Sequence, residues 1–264
     1  MTHVDTSTAV AAPLQQVAAV LRAANPNIII CADSVAGLGG ETLRMTDWDL
    51  DYVMTGSQKA IGVPAGLCIS VARPRALAAA KSRKTPVRFT YVSWAKWAPV
   101  MQNYMDEKAS YFATPAVGLV IALDTGLKIH LANGGSEARF REHAMVAAAF
   151  RAALATLGLR TVATTPALCA STLTAIYYPE GINGDALRTA IKTHGAIVAG
   201  GLHKLIGTRY FRVGHMGHSV YGGRVEHLLR AVSAIEKALA EQGHKVQPGA
   251  AAAAFEAHVK KAAL

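Results

Sequence analysis

Asp33 and Lys59 are the residues whose types and surroundings first point to chemistry. Ile28-Ile29-Ile30-Cys31-Ala32 is a short continuous apolar run that reads as a strand of a parallel sheet covered on both faces, and it ends on Asp33. A second strand is predicted to begin near Asp51, within Trp48 to Met54, and to run into Thr55-Gly56-Ser57-Gln58-Lys59. Ligands of open α/β sheets collect beyond the carboxyl ends of the strands, which is where both residues fall. A lysine there can form a Schiff base with an aldehyde, and an acid can hold a ring nitrogen protonated so that the ring acts as an electron sink. Each has a plainer reading: Asp33 as a helix N-cap, Lys59 as a surface lysine after a turn.

The elements that must position this pair follow from periodicity. Leu14 to Ala24 has helical spacing and is stopped by Asn25-Pro26-Asn27. The glycine-bearing connection Gly37-Leu38-Gly39-Gly40 leaves Asp33, and a third apolar run, Gly66 to Val71, follows Pro64. Helical periodicity dominates from about Thr114 to Leu157 with a break at Asn133-Gly134-Gly135, read as the passage between two domains, 1–133 and 134–264. Beyond it, strand-like Leu173 to Tyr177, helical Gly184 to His194, strand-like Ala196 to Ala199 and Tyr210 to Val213, and helical Val225 to Gln242 make a small α+β unit. The Ala-rich stretch from Val246 reads as a tail with a short peripheral helix.

Composition narrows the function classes. With 264 residues and 52% hydrophobic content the chain can bury a substantial core. The apolar stretch Ala116 to Leu123 is stopped by Asp124, too short to span a bilayer. The N-terminus lacks a basic and then apolar leader, so an intracellular protein is expected. The terminal Ala262-Ala263-Leu264 lacks the basic middle residue of a good peroxisomal tripeptide. Cys31, Cys68 and Cys169 lie in apolar stretches without CxxC spacing and are expected to be buried thiols, with no metal site. The formal charge is +10, but the lysines and arginines are scattered. The densest cluster, Arg73 to Arg88, is interrupted by Pro74 and Pro86 and carries no interleaved aromatics, which argues against a nucleic-acid partner.

Asp33-Ser34-Val35-Ala36-Gly37-Leu38-Gly39-Gly40, followed by Gly56-Ser57-Gln58-Lys59-Ala60-Ile61-Gly62-Val63-Pro64-Ala65-Gly66, resembles the cofactor-binding core of class V, fold-type I pyridoxal-phosphate aminotransferases. The Ser-Gln-Lys version is similar to the alanine–glyoxylate and serine–pyruvate enzymes rather than to the cysteine desulfurases, which usually carry His before the lysine. The likeness extends through His3-Val4-Asp5-Thr6-Ser7-Thr8, Tyr111-Phe112-Ala113-Thr114 and Phe211-Arg212-Val213-Gly214. It implies a partial large-domain α/β sheet of fold-type I plus a small C-terminal α+β domain, with pyridoxal 5'-phosphate as cofactor.

By that resemblance Lys59 holds the cofactor and moves the proton at the substrate Cα, Asp33 pairs with the pyridinium nitrogen, and Val35 packs on a ring face. Ser57 and Gln58 offer donors to the phosphate, and Thr6 contacts the cofactor, against a plain reading as a turn residue. Tyr111 and Thr114 reach the phosphate of a neighbouring subunit, which implies a homodimer. Arg212 binds the substrate carboxylate, a task suited to a planar guanidinium, against a plain reading as a surface arginine. The implied substrates are a small amino acid, alanine or serine, and a 2-oxo acid, glyoxylate or pyruvate. Family members also have an upstream segment with a phosphate loop and a stacking aromatic, so the chain is expected to hold the cofactor weakly. Two other readings stay open: a lyase or desulfurase on the same scaffold, and an interaction fragment that pairs with a full-length homologue.

Overall fold

The computed structural model describes residues 1–262, so the terminal tripeptide runs beyond the described residues. Two short strands, β1 (Val4–Asp5) and β2 (Val10–Ala11), form an antiparallel ribbon ahead of helix α1 (Leu14–Ala24). A three-stranded sheet follows: β3 (Cys31–Asp33), β4 (Tyr52–Gly56) and β5 (Cys68–Ala72). β3 and β4 are parallel, with Asp33 level with Met54, whereas β5 returns antiparallel to β4 through the tight loop that carries Lys59. That loop is too short for the crossover a parallel return requires.

β3 is not buried on both faces as its apolar run predicts. Ala32 is fully buried against α1, whereas Cys31 and Asp33 point outward and are exposed, because the single layer beneath this sheet leaves its other face open. Cys31 and Cys68 are therefore exposed thiols and Cys169 is half-buried, contrary to the expectation of buried cysteines. At the opposite end of the sheet Asp51 is fully buried. It accepts from the amide of Ile30 at 2.7 Å, Arg22 at 3.0 Å and Arg75 at 2.6 Å. Burial alone would raise its pKa, but these donors hold the carboxyl below the usual carboxylate range. Arg73 and Arg75 also pair with Asp49, so part of the basic cluster is neutralised within the fold.

Helices α2 (Pro74–Lys81), α3 (Trp94–Met105) and α4 (Val117–Ala132) follow, then α5 (Gly135–Thr156) after a left-handed turn at Gly134. The remainder is β6 (Leu173–Tyr177), α6 (Gly184–Thr193), β7 (Ala199–Gly200), β8 (Tyr210–Gly214), α7 (Glu226–Glu241) and α8 (Ala250–Ala262). β8 is central in the second sheet and antiparallel to both β6 and β7. The ribbon β1–β2 packs on this sheet, where Val4 and Ala9 meet Ala175 and Tyr210. No helix among the described residues is long and apolar enough to cross a membrane.

The C-terminal helix is not peripheral. Ala251 and Phe255 are fully buried in the main core with Phe150, Leu154, Ile235 and Leu239. The Glu236 carboxylate of α7 accepts the amides of Gly249 at 2.7 Å and Ala251 at 3.2 Å, satisfying donors that the first turn of α8 leaves free. Phe255→Ala is expected to cost about 3–5 kcal/mol in urea denaturation, the range for emptying a buried aromatic site. A loss below about 1 kcal/mol would show that α8 is an appendage after all.

Candidate active site

Asp33 and Lys59 lie at the same end of the first sheet, Asp33 as the last residue of β3 and Lys59 three residues beyond the end of the adjacent parallel strand β4. The turn after Asp33 is braced on every side. The Ser34 amide donates to Met54 O at 2.9 Å, and the Thr55 hydroxyl to Ser34 O at 3.2 Å. Ser34 Oγ meets His3 Nδ1 at 2.8 Å, and Thr172 Oγ1 donates to Ala36 O at 2.6 Å. Asp33 Oδ1 accepts the Val35 amide at 3.0 Å, a local turn bond that orients the carboxylate and leaves Oδ2 outward. Val35 is half-buried beside it. Gly40 closes the turn where no side chain fits, since a Cβ there would collide with Thr172 and stand 2.8 Å from His143 Cδ2.

The Lys59 loop is tied by its backbone: the Gly62 amide donates to Lys59 O at 2.9 Å and the Val63 amide to Ser57 O at 3.2 Å. Ser57 corrects one expectation. Its hydroxyl donates to Pro64 O at 2.7 Å and accepts the Leu67 amide at 3.2 Å, so its only donor braces the loop and is not free for a phosphate. Gln58 stays exposed and Lys59 half-buried. The loop rests on the segment after β8. A Cβ on Gly217, at φ 61°, would lie 2.9 Å from Lys59 O, and one on Gly62 3.2 Å from Tyr221 Cε2.

Arg212 stands on β8, the strand that leads toward Gly217. Its Nε donates to Gly200 O at 2.8 Å and its Nη1 to Thr6 O at 3.0 Å, which fixes the plane of the guanidinium and leaves Nη2 for a carboxylate. Thr6 thus touches the site through its carbonyl, in a turn held by Asp5, whose carboxylate accepts from the Ser7 amide at 2.9 Å and the Thr8 hydroxyl at 2.6 Å. The Tyr210 hydroxyl donates to Ser7 O. Asp33, Lys59, Thr6 and Arg212 are therefore linked through His3, Ser34 and Gly217. Tyr111 and Thr114 are not among them: they are exposed in the connection between α3 and α4, with Tyr111 75% accessible. His143, Gly217 and Tyr221 are the residues that reading the sequence missed. No local signal marks His143, since Arg139 one turn earlier is a second polar residue on the same helix face.

A family model described as Aminotransferase class-V matches residues 1–220. The chain is similar to alanine–glyoxylate aminotransferase 1 of Saccharomyces cerevisiae, 35% identical over 243 residues that make up 90% of this chain and 62% of that protein. It is 30% identical over 261 residues to the L-aspartate–glyoxylate aminotransferase of Paracoccus denitrificans, covering 98% of this chain and 63% of that one. In structure it matches the pyridoxamine–pyruvate aminotransferase of Mesorhizobium loti with a TM-score of 0.88 at 27% identity, over 99% of this chain and 64% of the other. The expected fold, a partial large-domain sheet plus a C-terminal α+β unit, is the one that match shares. The chain spans a little under two thirds of the length of these relatives.

Proposed function

Because the chain belongs to the class-V aminotransferase family, we propose that it serves pyridoxal-phosphate-dependent transamination between a small amino acid, alanine or serine, and glyoxylate or pyruvate. The observation that carries this reading is the placement of Lys59 and Asp33 at the same end of two adjacent parallel strands, with Arg212 fixed against Thr6. The donor set fits the cofactor: an outward carboxylate for the ring nitrogen, a half-buried lysine for the aldehyde, and an exposed amide side chain, Gln58, for phosphate.

Pyridoxal phosphate, when bound, supplies an aldehyde that takes up the amino group and a protonated ring that withdraws electrons from the substrate Cα. Asp33 would accept a hydrogen bond from the protonated ring nitrogen and so keep it protonated. Lys59 Nζ would hold the aldehyde group and, as a free neutral amine, would serve as the general base for the substrate Cα proton. Val35 packs against the ring. Arg212 Nη2 binds the substrate carboxylate and so selects α-amino and 2-oxo acids. Tyr111 and Thr114 serve the phosphate of a second subunit. A homodimer accounts for both their exposure and the apolar surface beside them on α4, where Val117, Val120, Ile121, Ile129 and Leu131 are exposed.

The test is turnover of the purified protein with pyridoxal phosphate and alanine plus glyoxylate, beside cysteine as a desulfurase substrate. Transamination without sulfide release is expected, and sulfide release alone would overturn the reading. Arg212→Lys should raise KM for the amino donor about 10- to 100-fold, the equivalent of one lost charge-assisted hydrogen bond. A parental KM in that variant would remove Arg212 from the substrate site.

A further inference from the structure

His143 projects from the middle of α5 and is fully buried, on a face where Arg139 one turn earlier is also buried and Val146, Ala147 and Phe150 pack as core. Its two ring nitrogens have different partners. Nδ1 faces Arg139 O at 2.8 Å, a carbonyl that can only accept, so Nδ1 carries the proton. Nε2 is then the acceptor, and the Gly217 amide donates to it at 3.2 Å. Gly217 is the residue on which the Lys59 carbonyl rests, with no room for a side chain between them. The adjoining Cγ–Cδ2 edge of the ring backs Gly40, in the turn that starts at Asp33. One imidazole therefore touches both the turn that follows Asp33 and the segment that seats Lys59.

The surroundings keep the ring an acceptor. Burial first, and then the positive charges of Arg139 and His130, push its pKa down to about 4, against the opposing hydrogen bond to Arg139 O. Tyr221 lies edge-on at 5.6 Å between centroids, with the Arg139 guanidinium over its other side at 4.7 Å, and Glu142 pairs with Arg139 at 2.9 Å. An apolar side chain of the same volume would fill this space but leave the Gly217 amide buried without a partner. That is a reason for the segment to move, and with it the support of the Lys59 carbonyl.

We propose that His143 is a positioning residue for Lys59, acting by accepting the Gly217 amide and so fixing the surface on which the lysine loop sits. The proposal rests on the transaminase reading only for its kinetic consequence. His143→Leu removes the acceptor and keeps an apolar volume, whereas His143→Gln places a carbonyl oxygen near the Nε2 position. In the leucine variant, kcat should fall about 10- to 100-fold through misplacement of the reacting lysine, with KM for the amino donor within about threefold of the parent. Hydrogen–deuterium exchange should quicken in peptides spanning 57–63 and 214–221 while α7 keeps its protection. The glutamine variant should recover most of both effects, which a residue serving only as core filler would not show.

Parental exchange rates in both peptides of the leucine variant, or a glutamine variant no better than leucine, would overturn the proposal. If the leucine variant does not fold, His143→Asn, whose shorter side chain withdraws the acceptor from the Gly217 amide while keeping a polar group, should produce the same exchange signature. Parental exchange in that variant would overturn the proposal equally. A parent protein without transaminase activity would remove the proposed function but leave the exchange comparison intact, so the two failures are distinguishable.

Discussion

Lys59→Ala is expected to abolish transamination while leaving the fold unchanged. The ties of the lysine loop run through its backbone: Lys59 O accepts the Gly62 amide, and Gly217 packs on the same carbonyl. Alanine preserves both. What disappears, on the proposed reading, is the amine that would hold the cofactor aldehyde and carry the Cα proton. General acid–base transfer by a positioned side chain contributes about 10²–10⁴-fold on its own. Loss of the covalent link to the cofactor adds to that, so a fall of at least about 10³-fold in kcat is expected. Lys59→Arg should do no better: its guanidinium stays protonated and cannot condense with an aldehyde. The measurements are turnover, the visible absorbance of the cofactor bound to lysine, and thermal unfolding of the cofactor-free protein. Unchanged unfolding with both signals lost is the expected result. Retention of the absorbance band and of a tenth or more of the activity would show that another lysine holds the cofactor.

Lys59 stands out in the sequence because the signal that marks it is local. A short apolar run that stops on a polar residue marks a strand end, and both Asp33 and Lys59 follow such runs. β4, β6, α6, β8 and α7 were legible for similar local reasons. α6, for example, starts at Asn183, whose side chain accepts the amides of Asp185 and Ala186 at 3.0 Å, a signature visible in the residue type. The illegible parts depend on distant partners. β1 and β2 are two residues each and exist because Val4 and Ala9 pack on a sheet formed some 170 residues later by Ala175 and its neighbours. In α8 a run of alanines carries no amphipathic contrast, so nothing local tells which face Phe255 buries. His143 meets Gly217 across 74 residues, and a histidine within a helix looks like a solvated one until that partner is known. The hydroxyl of Ser57 illustrates the same limit. Its type suits a phosphate donor, but Pro64 and Leu67 in its own loop already occupy it.

Mild acid should already destabilise this protein strongly, because three histidines are buried in neutral form. His3 and His143 are held down to about 4 and His215 to about 3, all chiefly by burial. For His215 the nearby positive charge of Arg151 adds to the effect, while its Nδ1, 3.0 Å from Ser171 O, opposes it. In the unfolded chain each would titrate near 6.5. Between about pH 6.5 and 4 the unfolded state therefore binds more protons than the folded one, and stability falls as pH falls, with a limiting slope of about 1.4 kcal/mol per pH unit per histidine. Three such groups sum to a loss on the order of 5–10 kcal/mol by pH 4, comparable with the whole stability of a typical domain. Glu41 and Glu142, raised mainly by burial, oppose this as they titrate, since their folded forms take up protons first. Asp5 and Asp51, whose hydrogen bonds hold them low despite burial, add to the loss only nearer pH 4 and below. Urea midpoints measured from pH 7.5 to 4.5 should drop steeply from about pH 6 downward. His215→Gln, which keeps hydrogen-bonding capacity toward Thr174 but cannot titrate, should flatten the slope by about a third. A midpoint constant over that range, or a slope unchanged in the variant, would mean that these imidazoles take up protons in the folded protein as readily as in the unfolded chain, and the donor and acceptor assignments drawn for them would fall with that result.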